Sequence, residues 1–503
     1  MAFRLSLLLL IGLALPFSTK PVHVDDANFL AMAQSAAENP WMPHDFLINW
    51  GGQTERAYDV LSNPPGIALW LAPVVNMSVF WMHLWMLPWL ALAVWGAAGL
   101  GRRIATKPGP AALLIAGSPV SVLATGALTP DLPLLACSLA GIYLLIDDTK
   151  PLGDRWLGAL LMGVSCLFRY SGLALLPLAV LWPWLQGDKR SAFKLGLIAA
   201  LPMALLCVHD VLAYGSIHVL SMVNFQSTSN GLTDLSHKAI ANMASLGGAV
   251  VLPLLAWARP RAALVGALAG ALIGLMGAGL PQIATPTATA ILFCAAGGAT
   301  LACCFRRSDP LDTFLMAWLL LGAFFLLGLR FAATRYWIPF FAPAVLLPLR
   351  HAGPRLIRLA TATTLLLSMG IAADDLDVAN TQLKAASIAG ATGTGKIAGH
   401  WGFQYHLLSD GWTDVEDDER LGPKQWVAHS SIAWPQQPSN ICWDFSQTLP
   451  LGDPNPGIRV LTNTGGANIH GNWLAGSPPQ RVIAPWSFAH DPIDYLILRR
   501  TCP

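Results

Sequence analysis

Charge is the scarcest property of this chain. Only 12% of its 503 residues are Asp, Glu, Lys or Arg, against 54% that are apolar, and the mean hydropathy is +0.52. That scarcity excludes an ordinary soluble globular protein. The net charge of +2 gives no basic surface for nucleic acid. Metal and nucleotide signatures are missing too: there is no His-Glu-x-x-His and no Cys-x-x-Cys spacing. The run Gly390 to Lys396 fails as a phosphate loop, because Ile397 stands where the magnesium-binding Ser or Thr belongs. No repeat of fixed period is visible, which argues against a solenoid.

What is present is apolar sequence in long runs, broken by charged islands roughly every 20 to 40 residues, the spacing of helices that cross about 30 Å of hydrocarbon. Lipid offers the backbone no hydrogen-bond partners, so helices are expected. A transmembrane barrel would alternate apolar and polar residues, and Ala262 to Leu280 does not. The pattern predicts an all-α polytopic membrane protein of about thirteen spans, near 3–17, 78–100, 110–126, 132–146, 156–168, 172–185, 195–213, 244–258, 262–280, 287–304, 311–329, 336–349 and 356–373. The stretch from Gly66 to Asn76 suits the interface, and the first run is read as a retained helix rather than a signal peptide.

Arg4, placed in the cytoplasm, makes alternate loops cytoplasmic. That side then carries Arg4, Arg102, Arg103, Lys107, Lys150, Arg155, Lys189, Arg190, Lys194, Arg259, Arg261, Arg306, Arg307, Arg350, Arg355 and Arg358; the other carries Lys20, Arg56, Arg169, Lys238, Arg330 and Arg335. The 16 to 6 bias follows the positive-inside rule. It places residues 374–503 outside, as a small α/β domain rich in Asp, Gly, Pro and Asn, following a transmembrane domain over 1–373. Six cysteines lie in apolar runs and read as small hydrophobic filler. Cys442 and Cys502 fall in the exported domain, where an oxidising compartment permits a disulfide.

The first outer loop, Ser18 to Pro65, holds Asp25-Asp26 at the start of an expected helix from Ala27 to Ala37. Two like charges this close raise at least one pKa. The pair suits a general base, a metal ligand, or an ordinary helix N-cap. Arg56, Arg169, Arg330 and Arg335 stand on the side the charge rule disfavours. A guanidinium there grips an anionic phosphate, snorkels to the interface, or forms an internal ion pair with Asp131 or Asp210. Thr129-Pro130-Asp131 returns a third carboxylate to the same face.

In this order the chain resembles the GT-C glycosyltransferases that use polyprenyl-phosphate sugars, a superfamily that includes protein O-mannosyltransferases and lipid A aminoarabinose transferases. Asp25-Asp26-Ala27-Asn28-Phe29 resembles their first-loop Asp-Glu/Asp-x-x-aromatic motif. Asn63-Pro64-Pro65-Gly66 resembles the His-Pro-Pro segment, with Asn for His. Leu128-Thr129-Pro130-Asp131, Phe168-Arg169-Tyr170 and Thr334-Arg335-Tyr336-Trp337-Ile338-Pro339 resemble later elements, and Gly399 to His406 resembles an outer-domain segment of bacterial members. The resemblance spans about residues 20 to 410, through short motifs.

It implies transfer of one sugar, with inversion, from a polyprenyl-phosphate carrier to an extracytoplasmic acceptor: protein, lipid or polysaccharide. Asp25 would be the general base, with Asp26 beside it. Arg169, Arg330, Arg335 and Tyr336 would hold the donor phosphate. Asp131, Arg56, Trp50 and Tyr58 would serve the acceptor or sugar, with Trp41 a further stacking surface. Asp25, Asp26 and Asp131 could hold a divalent ion; no other cofactor is implied. The implied location is a bacterial inner membrane, with the N-terminus cytoplasmic and residues 374–503 periplasmic or extracellular. The alternatives are a secondary transporter and a ligase drawing on diphosphate-linked glycans.

Overall fold

The computed structural model describes residues 2–147, 151–227, 232–251, 253–305, 309–436, 442–452, 457–463, 465–475 and 479–503. Lys150, Arg306 and Arg307, which contribute to the charge bias, lie outside them. The chain is a multi-pass integral membrane protein, mostly helical. Among the described residues, six helices are long and apolar enough to cross a membrane: Val79–Ala105, Lys189–Tyr214, Pro260–Ala278, Thr287–Cys304, Pro310–Gly328 and Pro354–Gly390. The expected span at 110–126 is a bent pair, Pro108–Ala116 and Pro119–Thr125, at 68°. It breaks at Gly117-Ser118, where Ser118 caps the second half by accepting from the Ser121 amide. Shorter apolar helices cover Phe3–Phe17, Asp131–Ile146 and Tyr170–Leu185.

Two expected spans take another form. Around 244–258 the chain makes a π turn, Leu246–Val250, and a 3-10 segment, Pro253–Ala258. Gly247-Gly248 and Pro253 are poor continuous-helix formers, and Gly247 lies so close to Thr287–Cys304 that a Cβ would sit 2.1 Å from the Gly297 amide nitrogen. Around 336–349 the helix is confined to Ala342–Leu349, after a 3-10 turn at Thr334–Trp337. Pro339 and Pro343 leave no room for a longer one.

The compositional break at Ala373 falls inside a single helix. Pro354–Gly390 runs for 37 residues, about 55 Å at the usual rise, and so carries the chain from the membrane into the C-terminal region. There five strands form a mixed sheet: β1 (Gly395–Ala398), β2 (Thr413–Asp414), β3 (Trp426–Ser430), β4 (Trp443–Leu451) and β5 (Asp494–Thr501), in the order β2-β1-β3-β5-β4. β1 is parallel to β2 and β3, whereas β5 is antiparallel to β3 and β4. The helix Trp401–Ser409 packs between the sheet and Pro354–Gly390. A Cys442–Cys502 disulfide ties the start of β4 to the end of the chain. The other six cysteines are free, five of them buried.

The region is not a separate bead. Val24 of the first loop, Ile371 and Val378 of the long helix, and Val460 and Ile469 beyond the sheet share one apolar cluster. The turn between Pro260–Ala278 and Thr287–Cys304 joins it through the Ala284 amide, which donates to the Arg481 carbonyl at 2.8 Å.

Those two helices pack closely along their glycine faces. Gly266, Gly270 and Gly274 recur every fourth residue, and Cβ atoms there would lie 2.3, 2.1 and 2.6 Å from the carbonyl oxygens of Gly298, Cys294 and Ala290. In lipid, where water adds no drive between helices, such contact supplies the packing. Gly270→Leu should therefore force the pair apart and destabilise the protein by about 1–3 kcal/mol. Thermal unfolding in detergent checks this, with Leu272→Ala, at an exposed position of the same helix, as the control; an unchanged melting temperature in Gly270→Leu would contradict the reading.

Candidate active site

The site forms where several helices end, on the side of the bundle that bears the sheet domain. Asp25 occupies the N-cap position of the helix Asp26–Glu38, yet its side chain makes no capping bond. It is committed to Arg335 instead, in an ion pair to the Arg335 Nη2. Arg335 sits in the 3-10 turn Thr334–Trp337, after the span Pro310–Gly328. Asp131 opens its helix, where a carboxylate favours the N-terminal dipole. It pairs with Nη1 of Arg169, which follows the helix Leu152–Phe168, and accepts from the Thr129 hydroxyl at 3.2 Å. Tyr336 stands between the arginines, with the Arg169 guanidinium 4.7 Å and that of Arg335 5.8 Å from its ring centre. The four charged groups thus form two ion pairs bridged by one aromatic ring.

Two adjacent carboxylates have opposite fates. Burial alone pushes Asp25 upward, but Arg335, with help from Arg169, outweighs it and holds the carboxyl below its usual value. The same pairing raises Arg335. Asp26 is buried, accepts from the Leu128 amide at 2.9 Å and the His23 amide at 3.3 Å, and is pushed by burial up to about 7 despite Lys20 and those amides. The expected pKa rise is present, but burial and Asp375 supply it rather than repulsion from Asp25. Asp26 thereby ties the first loop to the short turn before Asp131, and it also lines the adjoining cleft.

A small cleft opens beside these groups, lined by Lys20, His23, Asp26, Thr129, Asp131, Arg335, Asp375 and His470 among others. Arg335 Nε is buried and has no hydrogen-bond partner among the described residues. A buried donor of this kind is met by water or by a ligand, or it costs stability.

Other expected site residues lie elsewhere. Arg56 is exposed on the hairpin Leu47–Asn49/Thr54–Arg56 and faces Asp59 at 3.6 Å. Trp50 packs on His400, ring centres 5.4 Å apart. Tyr58 stacks on Tyr214 at 4.1 Å and donates to the Ser216 carbonyl at 2.7 Å. Trp41 meets His209 edge-on. Arg330 lies over Phe331; it does not line the cleft, and neither do Asp25, Arg169 or Tyr336, which stand behind Arg335 and Asp131. Nor do Asp25, Asp26 and Asp131 converge as metal ligands, since each is committed to an arginine or to backbone amides. Sequence reasoning missed His23, Asp375 and His470; only Lys20 carried a signal, as a cation on the disfavoured side.

Solved structures give a distant likeness. The crystal structure of ArnT from Cupriavidus metallidurans bound to undecaprenyl phosphate aligns with 85% of this chain and 92% of its own, at 13% identity and a TM-score of 0.43. The apo form aligns equally, at 12% identity. The arabinofuranosyltransferase AftD from Mycobacteria aligns with all of this chain at 13% identity and a TM-score of 0.44, and the match spans 39% of its length. No protein-family model and no curated protein sequence matches the chain.

The scaffold role of Asp26 has a pH signature. Its folded pKa lies above the unfolded value near 3.9, so the stability it gives is full below that value and is lost as pH rises through about 7. Asp26→Asn removes this dependence. Relative to wild type, the variant's melting temperature should climb by on the order of a few degrees between pH 5 and 8. Parallel melting curves would show an Asp26 that does not titrate in this range.

Proposed function

We propose that the protein is an inverting membrane glycosyltransferase that moves a sugar from a polyprenyl-phosphate carrier to an extracytoplasmic acceptor, with Asp25 as general base. The observation that carries the reading is Arg335, which lines the cleft, paired with Asp25 behind it, with Arg169 and Tyr336 nearby and Arg335 Nε without a protein partner among the described residues. The first-loop and late-loop motifs, which bear the sequence resemblance, supply these residues. Arginine forks suit a phosphate that gains charge as it leaves.

In the reaction, an acceptor hydroxyl oxygen attacks the anomeric carbon from the face opposite the phosphate. The bond from that carbon to the phosphate oxygen breaks, and its electron pair leaves with the polyprenyl phosphate. Asp25 takes the hydroxyl proton. Arg335 and Arg169 stabilise the departing anion, Tyr336 fixes their spacing, and Asp26 holds the first loop in register. Asp131 keeps Arg169 oriented. The N-terminus is cytoplasmic in this scheme, with the site on the opposite face of a bacterial inner membrane.

Asp25 stays ionised in the free protein to pH values below the ordinary carboxylate range, because Arg335 favours its charged form. Donor phosphate competes for Arg335 and returns basicity to Asp25. The acid limb of kcat/KM, which reports the free enzyme, should therefore lie at lower pH than the acid limb of kcat. Coincident limbs would mean that Arg335 does not change partners.

The decisive measurement is release of radiolabelled sugar from a panel of polyprenyl-phosphate donors, with native membrane extract as acceptor. Asp25→Asn should cut turnover by about 10²–10⁴-fold while donor binding and melting temperature persist. Normal turnover in the variant would remove Asp25 from the chemistry. A folded wild type inert with every donor, but active with diphosphate-linked glycans or in transport, would overturn the proposal.

A further inference from the structure

Beside the arginine pairs, three donors from distant parts of the chain meet at one point. His23 lies two residues before Asp25, Asp375 lies in the helix Pro354–Gly390, and His470 comes from the C-terminal region. The Nε2 atoms of His23 and His470 lie 3.1 and 2.9 Å from the same Asp375 oxygen, Oδ1. The donor atoms of the three residues all lie within 4.8 Å of one another. The rings meet edge-on, centres 5.3 Å apart, so neither blocks the other's approach to a shared centre. His23 and Asp375 are buried, and all three residues line the cleft.

We propose that His23, Asp375 and His470 form a binding site for a divalent transition-metal ion, with Zn²⁺ the ion their donor set suits. Two imidazoles and a carboxylate are the three protein ligands of an open tetrahedral zinc site. Donors on such an ion stand about 3.3 Å apart, given bonds of about 2.0–2.1 Å. The observed separations to Oδ1 need to open by only a few tenths of an ångström.

Hydrogen bonding around the triad points the same way. The side-chain oxygen Oε1 of Gln382 faces His23 Nδ1 at 3.4 Å. When that oxygen accepts from Nδ1, a neutral His23 ring leaves Nε2, which faces the Asp375 carboxylate, free to bind a metal. This is how outer-shell carbonyls orient metal-bound histidines. Lys20 occupies the other Asp375 oxygen, Oδ2, at 2.8 Å, leaving Oδ1 as a monodentate ligand. The fourth position faces the cleft, where water completes the shell.

The ion would bind a segment next to Asp25, the last long helix and the C-terminal region at one point. It belongs to residues other than Asp25, Asp26 and Asp131, and it does not depend on the glycosyltransferase reading.

The test uses full-length protein in detergent, purified by a tag without histidine and stripped with chelator. After incubation with Zn²⁺ and gel filtration, elemental analysis should find about one ion per chain, and the melting temperature should rise on loading. Co²⁺ in place of Zn²⁺ should give the intense visible absorption of a tetrahedral site. His470→Gln should abolish both signals. Gln382→Leu, which keeps all three ligands but cannot accept from Nδ1, should weaken binding by about 10–100-fold. Wild type that retains no Zn²⁺ and shows no Co²⁺ band would overturn the site without recourse to any variant. Retention unchanged in folded His470→Gln would place the metal elsewhere and overturn it equally.

Discussion

Asp25 and Arg335 stand 310 positions apart in the chain, yet each is what makes the other's burial tolerable. Removing a charge from water costs several kcal/mol unless a partner of opposite sign stands beside it. Once the first loop has brought a carboxylate under the surface, the turn after Pro310–Gly328 must bring a guanidinium to meet it. The second pair, Asp131 with Arg169, repeats the constraint on neighbouring helices. Tyr336 joins them through its ring face, a surface both guanidiniums can share. The geometry of the cleft follows from satisfying these charges.

The long helix applies the same logic to the C-terminal region. Adjacent residues on a helix point about 100° apart, so Asp374 and Asp375 cannot share a partner. Asp374 takes Arg459 at 2.6 Å and the Val460 amide at 2.7 Å, which anchors the C-terminal region. Asp375 takes Lys20, His23 and His470, which anchors the first loop. Two carboxylates on one helical turn thereby hold the sheet domain on one side and the loop that bears Asp25 on the other.

Much of this was legible in the sequence, for reasons of differing strength. Membrane residence followed from the apolar runs, and the helix expected at Ala27 to Ala37 appears as Asp26–Glu38, because local composition governs both. Arg169 and Arg335 were conspicuous because they defied the charge rule, and each meets a carboxylate. The glycine-broken segment near 247 and the proline-rich segment near 343 looked like spans because hydropathy counts apolar residues without asking whether the backbone can continue. Trp50 and Tyr58 looked like sugar platforms, but an aromatic side chain in a loop serves packing just as well, and only tertiary contacts separate the two. His23, Asp375 and His470 were invisible for a different reason. Their meeting depends on chain separations of more than 90 residues, a distance at which no spacing pattern exists.

The strength of the Asp25–Arg335 pair looks at first like a defect in a general base, since a carboxylate held below its ordinary pKa is a weaker proton acceptor. The weakness belongs to the empty site alone. A phosphate entering the cleft offers Arg335 a second anion, and the planar guanidinium can turn from one to the other without leaving its place. Each step toward the phosphate takes positive charge from Asp25 and restores its affinity for a proton. If Asp25 is the general base proposed above, the acceptor hydroxyl would then meet a competent base only when a donor is bound. Without donor, the pair neutralises itself and activates neither water nor acceptor. On this reading, a single arginine shared between two anions would make the order of binding a matter of electrostatics.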